Sequence, residues 1–200
     1  GVMDALDTCV TSTLYVNSFA VTGTGENKGS GGFSVNGLSS IDGVASASKE
    51  DKKPEIEEYG NTFVDLGKEK ATMSTGTGAL AQIFLEDKVG LQSGILDTIA
   101  GNATEGSACK GSIEAAVGDV LTFKYNKFTN DYTPYQDFSF FSVNGKVNKI
   151  AQVGVDFEDF GSKTGIVNYT LTSADFLDGA ESGFIDVVIG VMDVKDTNVD

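Results

Sequence analysis

Two runs of alternating side chains joined by one short loop constrain this chain more than any other feature. Between Gly118 and Gly145 it reads GDVLTFKYNKFTNDYTPYQDFSFFSVNG. Apolar and polar residues alternate from Val120 to Tyr125, and Asp137 to Val143 is a second run rich in aromatic residues. A period of two puts successive side chains on opposite faces, so both runs predict half-buried strands. Asn130, Asp131, Pro134 and Asp137 lie between them, residues whose side chains or fixed φ favour a turn. Val143-Asn144-Gly145 is a turn of the Asn-Gly kind that closes a tight hairpin.

The same signal recurs along the chain. Strand character is present at Thr11 to Val21, Thr62 to Leu66, Lys70 to Ser74, Ser107 to Val117, Val147 to Val153, Gly165 to Leu171 and Gly183 to Val194. The last run, GFIDVVIGVMDV, is almost continuously apolar and predicts a central buried strand. Twenty-five glycines against two prolines agree with many turns. Helical spacing occurs only twice. Leu80, Ile83, Phe84 and Val89 form one stripe; Ile95, Leu96 and Ile99 form another, with Ser93 as N-cap and Gly101 as stop. Both stripes are expected to pack into the core. The predicted fold is all-β, a jelly-roll-like two-sheet β-sandwich with two short helices. Residues 1–22 read as an N-terminal segment with the first strand. Residues 23–60 read as a glycine-rich, charged surface excursion with a short strand near Phe33 to Val35, and 61–200 as the sandwich core.

Charge narrows the chemistry. There are 29 acidic residues against 14 basic ones, every basic residue is Lys, and there is no His, Arg or Trp. A net charge of −15 opposes binding to nucleic acid and to anionic membranes. Without His there is no Ser-His-Asp or Cys-His centre and no His-ligated metal. No apolar run is long enough to span a bilayer, so no membrane insertion is expected. The start at Gly1, with no signal-like segment, reads as a mature or excised product. Oxygen ligands remain, and they suit hard cations such as calcium. Cys9 and Cys109 lie far apart in sequence, which leaves two readings: one disulfide in an exported protein, or two separate buried thiols.

Four segments in order carry a resemblance: LxxxxGLxxGxLDxxxGNATEGSA from Leu85 to Ala108, GDxLTFxxNxxTND from Gly118 to Asp131, DFSFxSxNG from Asp137 to Gly145, and GVxDVxDTxVD from Gly190 to Asp200. Together they resemble a poorly characterised β-sandwich domain of secreted and surface proteins of cyanobacteria and other aquatic bacteria, in PEP-CTERM and calcium-repeat contexts, and in virion proteins of their phages. The resemblance covers roughly residues 62–200 and implies a sandwich fold and a location outside the cell, without a catalytic activity. In that family a further apolar strand follows the closing VD. Its absence after Asp200 implies a fragment or a strand supplied by a neighbouring subunit. The family tends to have an aliphatic residue at Cys109, so a disulfide there would be particular to this chain.

Candidate sites follow from the acidic turns. Asn130, Asp131 and Asp137 in the central loop, with Asp193, Asp196 and Asp200 near the C-terminal end, offer the oxygens that calcium takes in sixes to eights; the alternative is ordinary turn chemistry. Tyr132 and Tyr135 flank Pro134 beside carboxylates, as in a sugar-binding platform; the alternative is that they pin the loop to the sandwich. Of the catalytic options only a carboxylate pair for glycoside hydrolysis survives, and nothing singles out a pair. The expected function is therefore a non-enzymatic, extracellular structural or adhesive module, calcium-stabilised, for assembly or attachment on a cell surface, appendage or virus particle. Its partners would be copies of itself or a surface or particle protein. A carbohydrate-binding module and a phage decoration or fibre protein are the alternatives.

Overall fold

The computed structural model describes residues 11–22, 56–65 and 70–195. It is a sandwich of two antiparallel sheets. Sheet A has the order β10 (Ser162–Thr170), β7 (Val120–Thr129), β1 (Ser12–Thr22), β4 (Lys70–Ser74), β3 (Asn61–Asp65). Sheet B has the order β2 (Glu57–Tyr59), β6 (Ala103–Ala116), β11 (Ser182–Val194), β8 (Phe138–Val143), β9 (Lys146–Gln152), with the short β5 (Leu80–Ala81) added on β6. Two short helices, α1 (Gln82–Val89) and α2 (Asp97–Ala100), connect β5 to β6. No helix among the described residues is long and apolar enough to cross a membrane.

Period-two alternation builds the main core. Leu121, Phe123 and Tyr125 of β7 and Leu14 and Val16 of β1 face Phe141, Val143, Ile185, Val187, Ile189 and Val191 of sheet B. A second core lies on the other side of sheet B, where Leu85, Val89, Leu91 and Leu96 of the helical segment pack with Phe138, Phe140, Val188 and Met192. Strand β8 and the second half of β11 are thus buried on both faces, which is why their sequences are continuous rather than alternating. The outward residues Tyr15, Phe63, Phe128 and Ile166 of sheet A remain exposed.

Three expectations are corrected. Ile83 and Phe84 of α1 are about two-thirds exposed, at 66% and 63%, and the buried positions are Leu85, Glu86 and Val89. The i, i+4 pair Leu85 and Val89 sets the buried side, so the apolar residues just before it point outward. Ser93 is not the cap of the second helix, because α2 starts after Leu96 without a side-chain cap bond. The buried Glu86 carboxylate caps this turn instead, accepting the Gly94 N–H at 2.8 Å and the Leu96 N–H at 3.0 Å. The excursion also ends early: Glu57–Tyr59 pairs with β6 as an edge strand of sheet B. Its remaining part up to residue 55, Phe33 to Val35 included, lies outside the described residues.

Candidate functional site

The inward row of β7 continues past Tyr125 to Lys127 and Thr129, both buried. The core changes character at that point. Across the gap, Ser139 of β8 and Asp193 of β11 occupy the inward positions that follow Phe141 and Val191. The segment after β7 adds Asp131, and Asp137 stands immediately before β8. Ser12, at the start of β1, closes the group. Ser12, Lys127, Asp131, Asp137, Ser139 and Asp193 are all 0% exposed. One end of the sandwich is therefore filled by a sealed polar plug drawn from both sheets.

Named contacts hold it. The Ser12 hydroxyl donates to Asp137 Oδ2 at 2.7 Å and lies 2.7 Å from the Thr129 hydroxyl. The Val194 N–H donates to Asp137 Oδ1 at 3.2 Å. Lys127 Nζ donates to Ser139 Oγ at 2.9 Å, and the Asp131 N–H to Thr129 Oγ1 at 2.8 Å. One carboxylate oxygen from each of Asp131, Asp137 and Asp193 lies within 4.8 Å of the others. Burial pushes the Lys127 amine down to about 8, against the upward pull of the three aspartates, of which Asp137 acts most strongly. Among the described residues the cluster holds three carboxylates and one ammonium, none of them exposed to solvent.

Of the six residues expected to bind metal, Asp131, Asp137 and Asp193 come together here. Asn130 is next to them in sequence but exposed, and Asp196 and Asp200 lie outside the described residues. Tyr132 and Tyr135 meet edge to face at 5.5 Å, and Tyr132 also stacks on Phe160 at 5.3 Å. One ring face of Tyr132 is thereby occupied, and Tyr135 is half-buried. Cys109 is a free thiol in the main core, its pKa pushed up to about 12 by burial; Cys9 lies outside the described residues.

Sequence reasoning missed Lys127. Its signal was the period itself, because counting by twos from Leu121 lands on Lys127 and Thr129 as inward positions. No family model, curated protein or solved structure matches this chain. Function therefore has to be argued from these residues.

Proposed function

We propose that the chain is a non-enzymatic structural module that works outside the cell, in assembly or attachment on a surface, appendage or virus particle. The observation that carries the structural, non-enzymatic part of this is the complete burial of the Asp131, Asp137, Asp193 and Lys127 cluster; the location outside the cell rests on the resemblance of residues 62–200. A catalytic group must touch a substrate, and groups with no solvent exposure between two sheets instead join those sheets. We assign calcium as the ion held there: Asp131, Asp137 and Asp193 bring three buried carboxylates together, the hard oxygen donors that calcium takes. Thermal unfolding in calcium and in chelator, with light scattering on the eluted protein, tests both parts. A lower melting temperature and loss of an oligomer in chelator supports the proposal; no change in either removes calcium and self-assembly from it.

The outer face of sheet A is the surface proposed for attachment. Strand register sets Thr164, Asn126, Tyr15, Thr72 and Phe63 in one row and Ser162, Phe128, Thr13, Ser74 and Asn61 in the next. Neither row contains a charge, in a chain of net charge −15. Five strands at the usual spacing make this face roughly 20 Å wide.

This face favours the second reading, carbohydrate binding. Hydroxyls, amides and the exposed rings of Tyr15, Phe63 and Phe128 suit a neutral glycan, with rings against the sugar and amides to its hydroxyls. Tyr15→Ala combined with Phe63→Ala is expected to abolish retention on a glycan array while leaving the melting temperature within about 2 °C, since neither ring is in the core. Retention of the double variant at wild-type level would sink this second reading.

A further inference from the structure

The outer face of sheet B is covered along only part of its length. On β8 that face carries Phe138, Phe140 and then Ser142, and on β11 it carries Met192, Gly190, Val188 and then Asp186. The helical segment packs over Phe138, Phe140 and Met192, and α1 ends at Gly90. Beside Gly90 a hollow of about 180 Å³ reaches the turn between β8 and β9. Val89 and Val188 line it, Leu177 stands at its mouth 74% exposed, and Ser142 faces it from the floor. Ser142 is 0% exposed, and its hydroxyl has no hydrogen-bond partner among the described residues. An unpaired buried hydroxyl is a net cost to the fold, so this one marks a place for a polar partner from outside.

The rest of the lining offers polar groups that are already held in place. Asp186 is exposed at the rim, where its Oδ1 accepts the Ser112 hydroxyl. The turn is clamped to β11, because the Asn144 N–H donates to the Asp186 carbonyl at 2.9 Å and the Asp186 N–H donates to Asn144 Oδ1 at 2.8 Å. Asn144 Nδ2 donates to the Asp175 carbonyl at 2.7 Å. Gly145 follows with φ 86°, and nothing lies within 4 Å of the place a Cβ would take there, so its backbone is open to a ligand. Charge at the rim is mixed: Lys110, the register partner of Val188, has its Nζ 3.5 Å from the Cβ position of Gly90. A carboxylate and an ammonium on the same rim favour a neutral ligand over an ion of either sign. Aliphatic walls with hydroxyl, carboxylate and backbone groups suit a ring that has C–H faces and several hydroxyls. The volume is below the roughly 300–1,000 Å³ of a drug-sized pocket, so the hollow takes one ring and not a chain. We propose that it binds a single neutral monosaccharide unit, with sugar hydroxyls on Ser142 and Asp186 and a C–H face on Val89, Val188 and Leu177. This site lies on the opposite sheet from Tyr15 and Phe63 and rests neither on calcium nor on glycan binding at sheet A.

Amide chemical shifts of the full-length chain, followed by NMR while glucose, galactose, mannose or N-acetylglucosamine is added, test the site. At least one of these sugars should move the Gly90, Ser142, Gly145 and Asp186 amides saturably, with a dissociation constant of about 1 mM, as expected for one small ring. Ser142→Ala removes an unpaired group and Asp186→Asn changes an exposed one, so both should fold; each is expected to weaken binding about tenfold. Equal shifts from the methyl glycosides assign the site to a glycan terminus, and shifts from the free sugars alone assign it to the free sugar; either supports the proposal. Tyr15→Ala combined with Phe63→Ala should leave these shifts unchanged, which separates this site from the face of sheet A. No saturable shift with any sugar overturns the proposal. So do shifts given by methylamine or acetate and by no sugar, or sugar affinity that both hollow variants keep at the wild-type level.

Discussion

Lys127 is buried with Asp131, Asp137 and Asp193; burial pushes its pKa down while the three aspartates pull it up. Removing one partner from a buried charge group leaves the others uncompensated, so Lys127→Met is expected to destabilise the fold by about 3–5 kcal/mol, read from urea unfolding. Unchanged stability would mean that the aspartates do not need it. Cys109 gives a prediction about pH. Its folded pKa is raised to about 12 from the ordinary 9.0 by burial. The stability linked to its protonated form is fully present below pH 9, declines as the unfolded thiol ionises, and is lost by about pH 12. The Cys109→Ala variant should therefore fall less steeply than wild type between those values in urea titrations. In the native protein, Cys109 should also resist alkylation until it is unfolded. Asp131 and Asp137 were legible in the sequence as turn residues and Asp193 as an acid near the C-terminal end, whereas the lysine was hidden because a charged side chain reads as solvent-facing unless its position in the alternation is counted.

Elements were legible to different degrees for physical reasons. The strands of the outer sheet have one wet and one dry face, so β7 and β10 announce themselves by alternation, as their burial patterns show. Strand β11 announces itself by continuity, because the helical segment covers its second face. The helices were placed by their spacing, but which side they bury was misread. Leu85 and Val89 are anchored by Phe138, Phe140 and Val188, and Glu86 is drawn inward by the backbone donors of Gly94 and Leu96. A carboxylate that satisfies buried N–H groups is a structural part of its element. Glu86→Ala should cost about 1–3 kcal/mol in chemical unfolding. Hydrogen exchange should rise from Gly94 to Ala100 well before it rises in β7 or β11; a uniform rise across the sheets would contradict this local role.

At the scale of the whole molecule, the acidic chain closes around a charged plug at one end of its core, and on the outside of sheet A two neighbouring rows of hydroxyl, amide and aromatic side chains carry no charge. The sandwich class follows from periodicity, which depends on backbone geometry alone. The plug did not follow from it, because Lys127, Asp137 and Asp193 are brought together by the pairing of distant strands. The most direct test of the account is thermal unfolding of the full chain with calcium and with chelator, followed in each state by light scattering. We expect chelation to lower the melting temperature and to dissociate the assembled form. A melting temperature and a mass that are the same in both conditions would contradict a calcium-clasped assembly module.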